Sequence, residues 1–270
     1  MRGGDLRRLI EQSGFPPPQT ALDQHFLVSE RVHRAILDAC DGIAGFLEIG
    51  SGPGVLTKFL CERGSVMAVD VDERSREALA RVAPSAQFIA GDAARLDLEG
   101  LAERLPEPRA LVGNLPYSIT GAMLEAAVRL APLLRRAVLM MQREVAERVA
   151  APPGDRRRGA ISVLCSYSYA IERVVDAPPS AFLPPPEVSS RVLRFESLGR
   201  APSARLARLV RSAFRHPRKT LANNLRQAGE PAGVVEEALA GAGLAPSVRP
   251  HQVAEAEWLA LSDLLGASLG

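Results

Sequence analysis

Phe46-Leu47-Glu48-Ile49-Gly50-Ser51-Gly52-Pro53-Gly54 is the stretch that decides the fold. A short apolar strand, Phe46 to Ile49, runs straight into a glycine-rich turn. Such glycines let the backbone bend sharply and let a ligand approach it closely. A helix is predicted to follow through about Glu62. Outward from this unit the alternation repeats. Val66 to Val69 is a second strand, and a helix runs from about Glu73 to Val82. Gln87 to Ala90 and Ala110 to Gly113 are the third and fourth strands. A helix from about Thr120 to Leu130, a fifth strand Ala137 to Met141 and a helix to about Val149 complete the run. Upstream, Ser29 is placed to N-cap a helix through about Cys40, with Val32, Ile36 and Leu37 on one face. This alternation implies an α/β fold with a mostly parallel sheet covered by helices, and such sheets bind ligands beyond the carboxyl ends of their strands.

The flanks read differently. Residues 15 to 24 include three consecutive prolines, which exclude helix. Ala151 to Gly159 reads as a loop, Ile161 to Val175 as strand-like stretches, and Pro178 to Pro186 as a rigid loop with five prolines. Val192 to Phe195 is a last strand. Beyond about Ser197 only helical patterns occur, ending with Glu255 to Leu265. The expected organisation is an irregular N-terminal lead-in over 1–24, an α/β domain over 25–197 and a helical, basic domain over 198–270.

The 270 residues suffice for one sizeable core and a small second domain. No apolar run reaches the ~18 residues of a membrane span. Residues 1–14 are charged and lack the apolar core of a secretion signal. Cys40, Cys61 and Cys165 form no Cys-x-x-Cys pair, which fits a reduced intracellular protein without structural zinc. The net charge of +2 is uninformative, but its distribution is not. Arg200, Arg205, Arg208, Arg211, Arg215, Arg218, Lys219 and Arg226 fall in a stretch with no Asp or Glu. That block fits a phosphate backbone, or simply a solvated helix face. Lysine occurs only at positions 58 and 219, and asparagine only at 114, 223 and 224, which draws attention to each.

Three strand ends carry candidate chemistry. Asp70, after the second strand, is placed to accept hydrogen bonds from ribose hydroxyls, as in sites for NAD or for the adenosine of S-adenosylmethionine. A helix N-cap is the competing role, for which Asp72 is better placed. Asp92, in Gly91-Asp92-Ala93, is placed to hold a cofactor's adenine amine. Asn114-Leu115-Pro116-Tyr117 ends the fourth strand. The exocyclic amine of adenine is a poor nucleophile, because its lone pair is delocalised into the ring. A site that methylates it must accept both N–H hydrogens and hold the nitrogen in line with a methyl donor. The Asn114 side-chain carbonyl is one acceptor. The Leu115 backbone carbonyl is the second, since Pro116 keeps its predecessor extended. Tyr117 can stack on the base.

Taken together, these motifs resemble the ribosomal RNA adenine N6,N6-dimethyltransferase family, from about Gln24 to the C-terminus. Gln24-His25-Phe26-Leu27 resembles its N-terminal motif, and the resemblance implies that His25 and Leu27 line the cofactor site. Gly50, Gly52, Asp70, Asp92 and Asn114 match further positions around S-adenosylmethionine or the target amine. Gln142-Arg143-Glu144-Val145-Ala146 resembles the segment after the fifth strand. The proline-rich loop also matches, and by that resemblance Phe182 stacks on a flipped adenine opposite Tyr117. Core packing is the competing role for Phe182. Phe214 to Leu225 resembles the family's basic helix motif, implying rRNA contact by Arg215, Arg218, Lys219, Asn223 and Asn224. Helix capping and interdomain hydrogen bonding are the competing structural roles for the two asparagines, and they are compatible with RNA contact.

The resemblance implies a Rossmann-like class I methyltransferase with a mostly parallel seven-stranded sheet and a small all-α C-terminal domain. It implies S-adenosylmethionine as cofactor, no metal, and a monomer in the cytoplasm. The substrate it implies is two adjacent adenosines near the 3′ end of small-subunit rRNA, within an immature small subunit. Asp23 departs from the family's usual glycine, and Arg158-Gly159-Ala160 from a more typical Tyr-Gly-Arg. The nearest alternative is resistance-type methylation of one large-subunit adenosine. DNA adenine and protein glutamine methyltransferases share an Asn-x-Pro-Tyr site but not the proline-rich loop or basic tail. A non-catalytic nucleic-acid-binding factor on the same fold is a third reading.

Overall fold

The computed structural model describes residues 5–19 and 22–267. In chain order the elements begin α1 (Asp5–Ser13), β1 (Phe26–Leu27), α2 (Glu30–Ala39), β2 (Gly45–Ile49), α3 (Val55–Cys61), β3 (Ser65–Asp70), α4 (Ser75–Val82) and β4 (Gln87–Ala90). Then follow α5 (Leu98–Glu103), β5 (Arg109–Asn114), α6 (Thr120–Leu130), β6 (Arg136–Gln142), α7 (Arg143–Val149), α8 (Ala160–Ser168) and β7 (Tyr169–Ala177). The chain ends with β8 (Phe182–Leu183), β9 (Ser190–Ser197), α9 (Ala204–Ala213), α10 (Leu221–Gln227), α11 (Ala232–Gly241) and α12 (Glu255–Ala267).

Seven strands form one sheet in the order β4-β3-β2-β5-β6-β9-β7, with only β9 running antiparallel to its neighbours. Strands covered on both faces read as continuous apolar runs, and every residue of β2 is buried. From β2 the chain first builds outward through β3 and β4, then returns to lay β5 on the other side. That reversal leaves a crevice at the carboxyl ends of β2 and β5, where doubly wound sheets bind ligands. Beneath it, Val32 and Ile36 of α2 pack with Phe46, Val66, Ala110 and Val112 of the sheet.

The described residues form two compact units. One holds the described residues up to Ala146 plus Tyr169–Gly199, and the other holds Glu147–Ser168 plus the described residues from Arg200 on. The continuous domain expected over 25–197 therefore loses residues 147–168. Within the second unit α8 packs on α9 and α12. The segment before it is tied there by Arg158, whose Nη2 lies 2.7 Å from Glu255 Oε1. The strand-like reading of Ile161 to Val175 needs the same correction, because its first half is α8. Its small and β-branched residues suit a strand, but packing of Val163, Leu164 and Cys165 overrides that preference.

The lead-in is not irregular throughout. Residues 5–13 form α1, which buries Leu6 against the rest of the fold and is tied to α4 by Arg81 donating to the Ser13 carbonyl at 2.8 Å. Residues 1–4, 20 and 21 of that expected lead-in lie outside the described residues. Ser29 does flank α2, but its side chain makes no capping hydrogen bond.

Candidate active site

The glycine loop after β2 is held open by its own backbone. Gly50 donates to the Val69 carbonyl at 2.9 Å, which fastens the loop to the end of β3. Gly50 and Gly52 have φ of 75° and 49°, in the left-handed region that side chains avoid. A Cβ on Gly52 would also lie 3.1 Å from the Phe26 ring. Asp70 braces this loop: its Oδ2 accepts from Gly52 N at 2.7 Å and its Oδ1 from Asp72 N at 2.9 Å. Burial pushes its carboxyl above the usual range, against those two hydrogen bonds. Each oxygen keeps acceptor capacity for a hydroxyl. Neither Asp70 nor Asp72 caps α4, which has no side-chain cap. Asp72 instead accepts from Arg74 Nε at 2.8 Å and Gln24 Nε2 at 2.8 Å. The Arg74 hydrogen bonds hold it below the usual carboxylate range.

That Gln24 contact fixes the N-terminal segment over the crevice. Asp23 adopts φ 50°, and its Oδ2 accepts from Ser118 N at 3.1 Å. A left-handed backbone explains why glycine is usual here. It also explains why aspartate, one of the few side chains that tolerate this region, can replace it. Two residues on, His25 donates from Nδ1 to the Pro184 carbonyl at 2.9 Å. β1 then pairs antiparallel with β8, placing Leu27 opposite Phe182. The N-terminal motif and the proline-rich loop thus meet across 155 residues of chain.

Asn114 ends β5 between these parts. Its Nδ2 donates to the His25 carbonyl at 2.9 Å. That bond sets the amide orientation and leaves Oδ1 as an acceptor with no partner among the described residues. Leu115 is buried and donates its N–H to the Met140 carbonyl at 3.0 Å, which anchors the turn to β6. Pro116 follows with φ −54° and ψ 136°, and its carbonyl accepts from Thr120 Oγ1 at 3.1 Å. Tyr117 is half-buried; its hydroxyl lies 3.1 Å from Ser190 Oγ and its ring centroid 6.1 Å from that of His25. Phe182 belongs to the apolar core and is only 3% exposed, yet it borders the same cavity as Asn114 and Tyr117.

A cleft follows the strand ends from β5 across β2 to β4, and Gly50 borders each of its lobes. Asp92 borders the lobe of about 200 Å³ at the β4 end. Its Oδ1 accepts from Ala94 N at 2.9 Å, while Oδ2 faces Arg95 at 3.3 Å. Residues to which the sequence reading assigned no role also line the cleft. Glu48 and His33 border the lobe beside the glycine loop, together with Ser51. Glu48 Oε2 and Ser51 Oγ are buried without a hydrogen-bond partner among the described residues. Burial raises the Glu48 carboxyl to about 7 and lowers His33 to about 4. The signal for Glu48 was present, since a charged residue interrupts an otherwise apolar strand. His33 gave no such signal from its place on an ordinary amphipathic helix.

In the second unit, Arg215, Arg218 and Lys219 are all exposed in the turn before α10. Lys219 Nζ donates to Gln227 Oε1 at 3.2 Å. Within the Phe214 to Leu225 segment, residues 214–220 form a turn and the helix starts at Leu221. Asn223 is exposed. Asn224 is 1% exposed and its amide is consumed internally. It accepts from His216 N at 3.0 Å and donates to the carbonyls of His216 and Thr220, each at 3.1 Å. Its expected RNA contact is thus corrected: Asn224 is buried, and its amide clamps the basic turn.

A model of the family described as ribosomal RNA adenine dimethylase matches residues 18–265. The ribosomal RNA small subunit methyltransferase A of Acidobacterium capsulatum is 38% identical to the chain over 286 aligned residues, covering 97% of this chain and 99% of that protein. The protein of the same name from Deinococcus radiodurans is 36% identical, with 97% and 90% covered. Among solved structures, a dimethyladenosine transferase from Plasmodium falciparum superposes with a TM-score of 0.71 at 22% identity, covering 88% of this chain and 96% of that one. The 23S rRNA methyltransferase ErmE superposes with a TM-score of 0.64 at 25% identity, covering 89% and 99%. With a match over nearly its whole length, the chain belongs to the ribosomal RNA adenine dimethylase family.

Proposed function

We propose that this chain transfers methyl groups from S-adenosylmethionine to the N6 amine of adenosine in small-subunit rRNA, twice on each of two adjacent adenosines near the 3′ end. The observation that carries this reading is the orientation of Asn114. With Nδ2 held by the His25 carbonyl, Oδ1 is left to accept from a planar amine, and the Leu115 carbonyl is the second acceptor in this reading. The cleft suits the cofactor. Asp70 and Asp92 present acceptors for hydroxyl and amine donors, and the orphaned Glu48 Oε2 suits an ammonium group. When bound, S-adenosylmethionine supplies an electrophilic methyl group on a sulfonium sulfur.

Asn114 Oδ1 and the Leu115 carbonyl draw on the two amine hydrogens and turn the nitrogen lone pair out of conjugation with the ring. Tyr117 and Phe182 hold the base between them. As nitrogen bonds carbon it becomes acidic and sheds a proton, so no strong base is needed. For the second transfer one N–H contact has already been lost, and the remaining acceptor must hold the monomethylated amine in line. Arg215, Arg218, Lys219 and Asn223 contact the rRNA backbone, and the chain acts as a monomer in the cytoplasm on an immature small subunit.

Labelled S-adenosylmethionine and small subunits lacking the modification test this reading, with mass mapping of the modified nucleotides. Two adjacent dimethyladenosines near the 3′ end are expected. Transfer to large-subunit rRNA instead would overturn the choice of substrate.

A further inference from the structure

The second unit carries a groove of about 390 Å³ that the reading above does not use. Its walls come from two segments. Arg148, Arg156 and Arg157 belong to the end of α7 and the loop after it; Arg211, Phe214 and Pro217 belong to the end of α9 and the turn beyond. We propose that this groove is a second seat for the phosphodiester backbone of the RNA substrate, separate from Arg215, Arg218 and Lys219. The inference rests on the proposed function for the identity of the RNA.

Three observations support it. The first is charge. All four of those arginines are exposed. Arg157 is balanced by Asp155 at 2.7 Å and Glu147 at 3.1 Å, but Arg156 has no acidic partner among the described residues. Guanidinium groups fork onto phosphate oxygens and remain charged at any physiological pH.

The second is rigidity. The loop is pinned at both ends within its own unit. Gly154 N donates to the His251 carbonyl at 2.8 Å. Arg158 is buried, with Nη2 2.7 Å from Glu255 Oε1 and Nη1 donating to the Ala151 carbonyl at 3.2 Å. Ser166 Oγ donates to the same Glu255 oxygen at 2.6 Å. The departure at Arg158 therefore supplies an anchor for the loop that carries Arg156 and Arg157. A preorganised loop spends less ordering entropy on binding.

The third is continuity. Phe214 and Pro217 line the groove and are chain neighbours of Arg215 and Arg218, so the groove and the basic turn share one segment. A strand passing over the turn would find further cations along its path. Phe214 is half-buried, with its ring centroid 6.1 Å from that of Trp258, so it lines the groove from a fixed position.

The test is a salt titration of RNA binding. A 3′-terminal fragment of small-subunit rRNA is titrated with the wild-type chain, with Arg156→Ala/Arg157→Ala, and with Arg215→Ala/Arg218→Ala/Lys219→Ala. Each lost phosphate contact lowers the slope of log affinity against log salt by about one. The first variant should lose about one to two units of slope and bind roughly tenfold more weakly at low salt, with cofactor affinity and melting temperature unchanged. Arg156→Lys/Arg157→Lys should restore most of the slope. An unchanged slope in the alanine pair, beside a reduced slope in the basic-turn triple, would overturn the groove and leave the proposed function standing. If the wild-type chain methylates no rRNA, the functional reading fails by itself. The same titrations with an unrelated RNA of equal length then decide the groove: a reduced slope supports it and a preserved slope overturns it.

Discussion

Asn114 does two jobs with the two ends of one amide, and they can be separated. Asn114→Ala removes the acceptor for the target amine together with the bond to the His25 carbonyl. Methyl transfer should fall by about a hundredfold or more, the scale seen when one preorganised polar group is removed from a reacting centre. Cofactor affinity, measured by calorimetry with S-adenosylhomocysteine, should change only a few-fold; its outright loss would recast Asn114 as a structural brace. Asp23 permits an equally local test. Its left-handed backbone costs about 1–2 kcal/mol for a residue with a Cβ, and the bond to Ser118 offsets about that much. Asp23→Ala should keep the strain and lose the bond, lowering stability by about 1–2 kcal/mol in urea unfolding, whereas Asp23→Gly should lie close to wild type. Equal losses would mean that the Ser118 bond, and not the backbone, sets the preference. Asn114 was legible because it stands at a strand end, and Asp23 because it replaces the glycine usual in the family that the sequence resembles. The engagement of Asn224 was not, since nothing local distinguishes it from exposed Asn223; only the fold brings the His216 backbone onto its amide.

At the scale of elements, the core strands were readable because they are buried on both faces and bounded by turns. The elements that escaped detection are short or are decided by distant partners. α1 is 9 residues long and owes its stability to burying Leu6 and meeting Arg81. β1 and β8 have two residues each and exist only through each other. α8 looks like a strand until α9 and α12 are laid on it. The link between that helix and its surroundings is the Arg158–Glu255 pair, with Arg158 at 1% and Glu255 at 32% side-chain exposure. Burial alone would push the Glu255 carboxyl up, but Ser166 and Arg158 outweigh it and hold it below the usual range. Glu255→Ala leaves a buried guanidinium without its partner. A fully buried pair would lose about 3–5 kcal/mol, and water at Glu255 discounts this to about 2 kcal/mol. Arg158→Ala/Glu255→Ala should be little worse than either single change, with a coupling of about 1–2 kcal/mol in a double-mutant cycle. Additive losses would show that the two side chains act independently.

For the whole molecule, the two groups buried beside the glycine loop set opposing dependences of stability on pH. Glu48 titrates near 7 in the folded chain instead of near 4.5. Between those values the folded state keeps a proton that the unfolded state has released, so stability falls as pH rises through the window. The full shift amounts to about 3 kcal/mol. His33 titrates near 4 instead of near 6.5. There the unfolded state holds the extra proton, so stability rises with pH by a similar amount. Between pH 4.5 and 6.5 the two slopes oppose and nearly cancel. Removing either group should expose the other. His33→Leu should lose stability steadily from pH 4.5 to 7, whereas Glu48→Gln should gain it from pH 4 to 6.5 and then stay level. Urea unfolding of the three proteins across this range reads the difference directly, because titrating groups elsewhere contribute equally to all of them. A His33→Leu profile parallel to wild type would mean that this histidine is already charged in the folded chain. Its burial against Phe59, with ring centroids 4.8 Å apart, would then have to accommodate an imidazolium in an apolar setting.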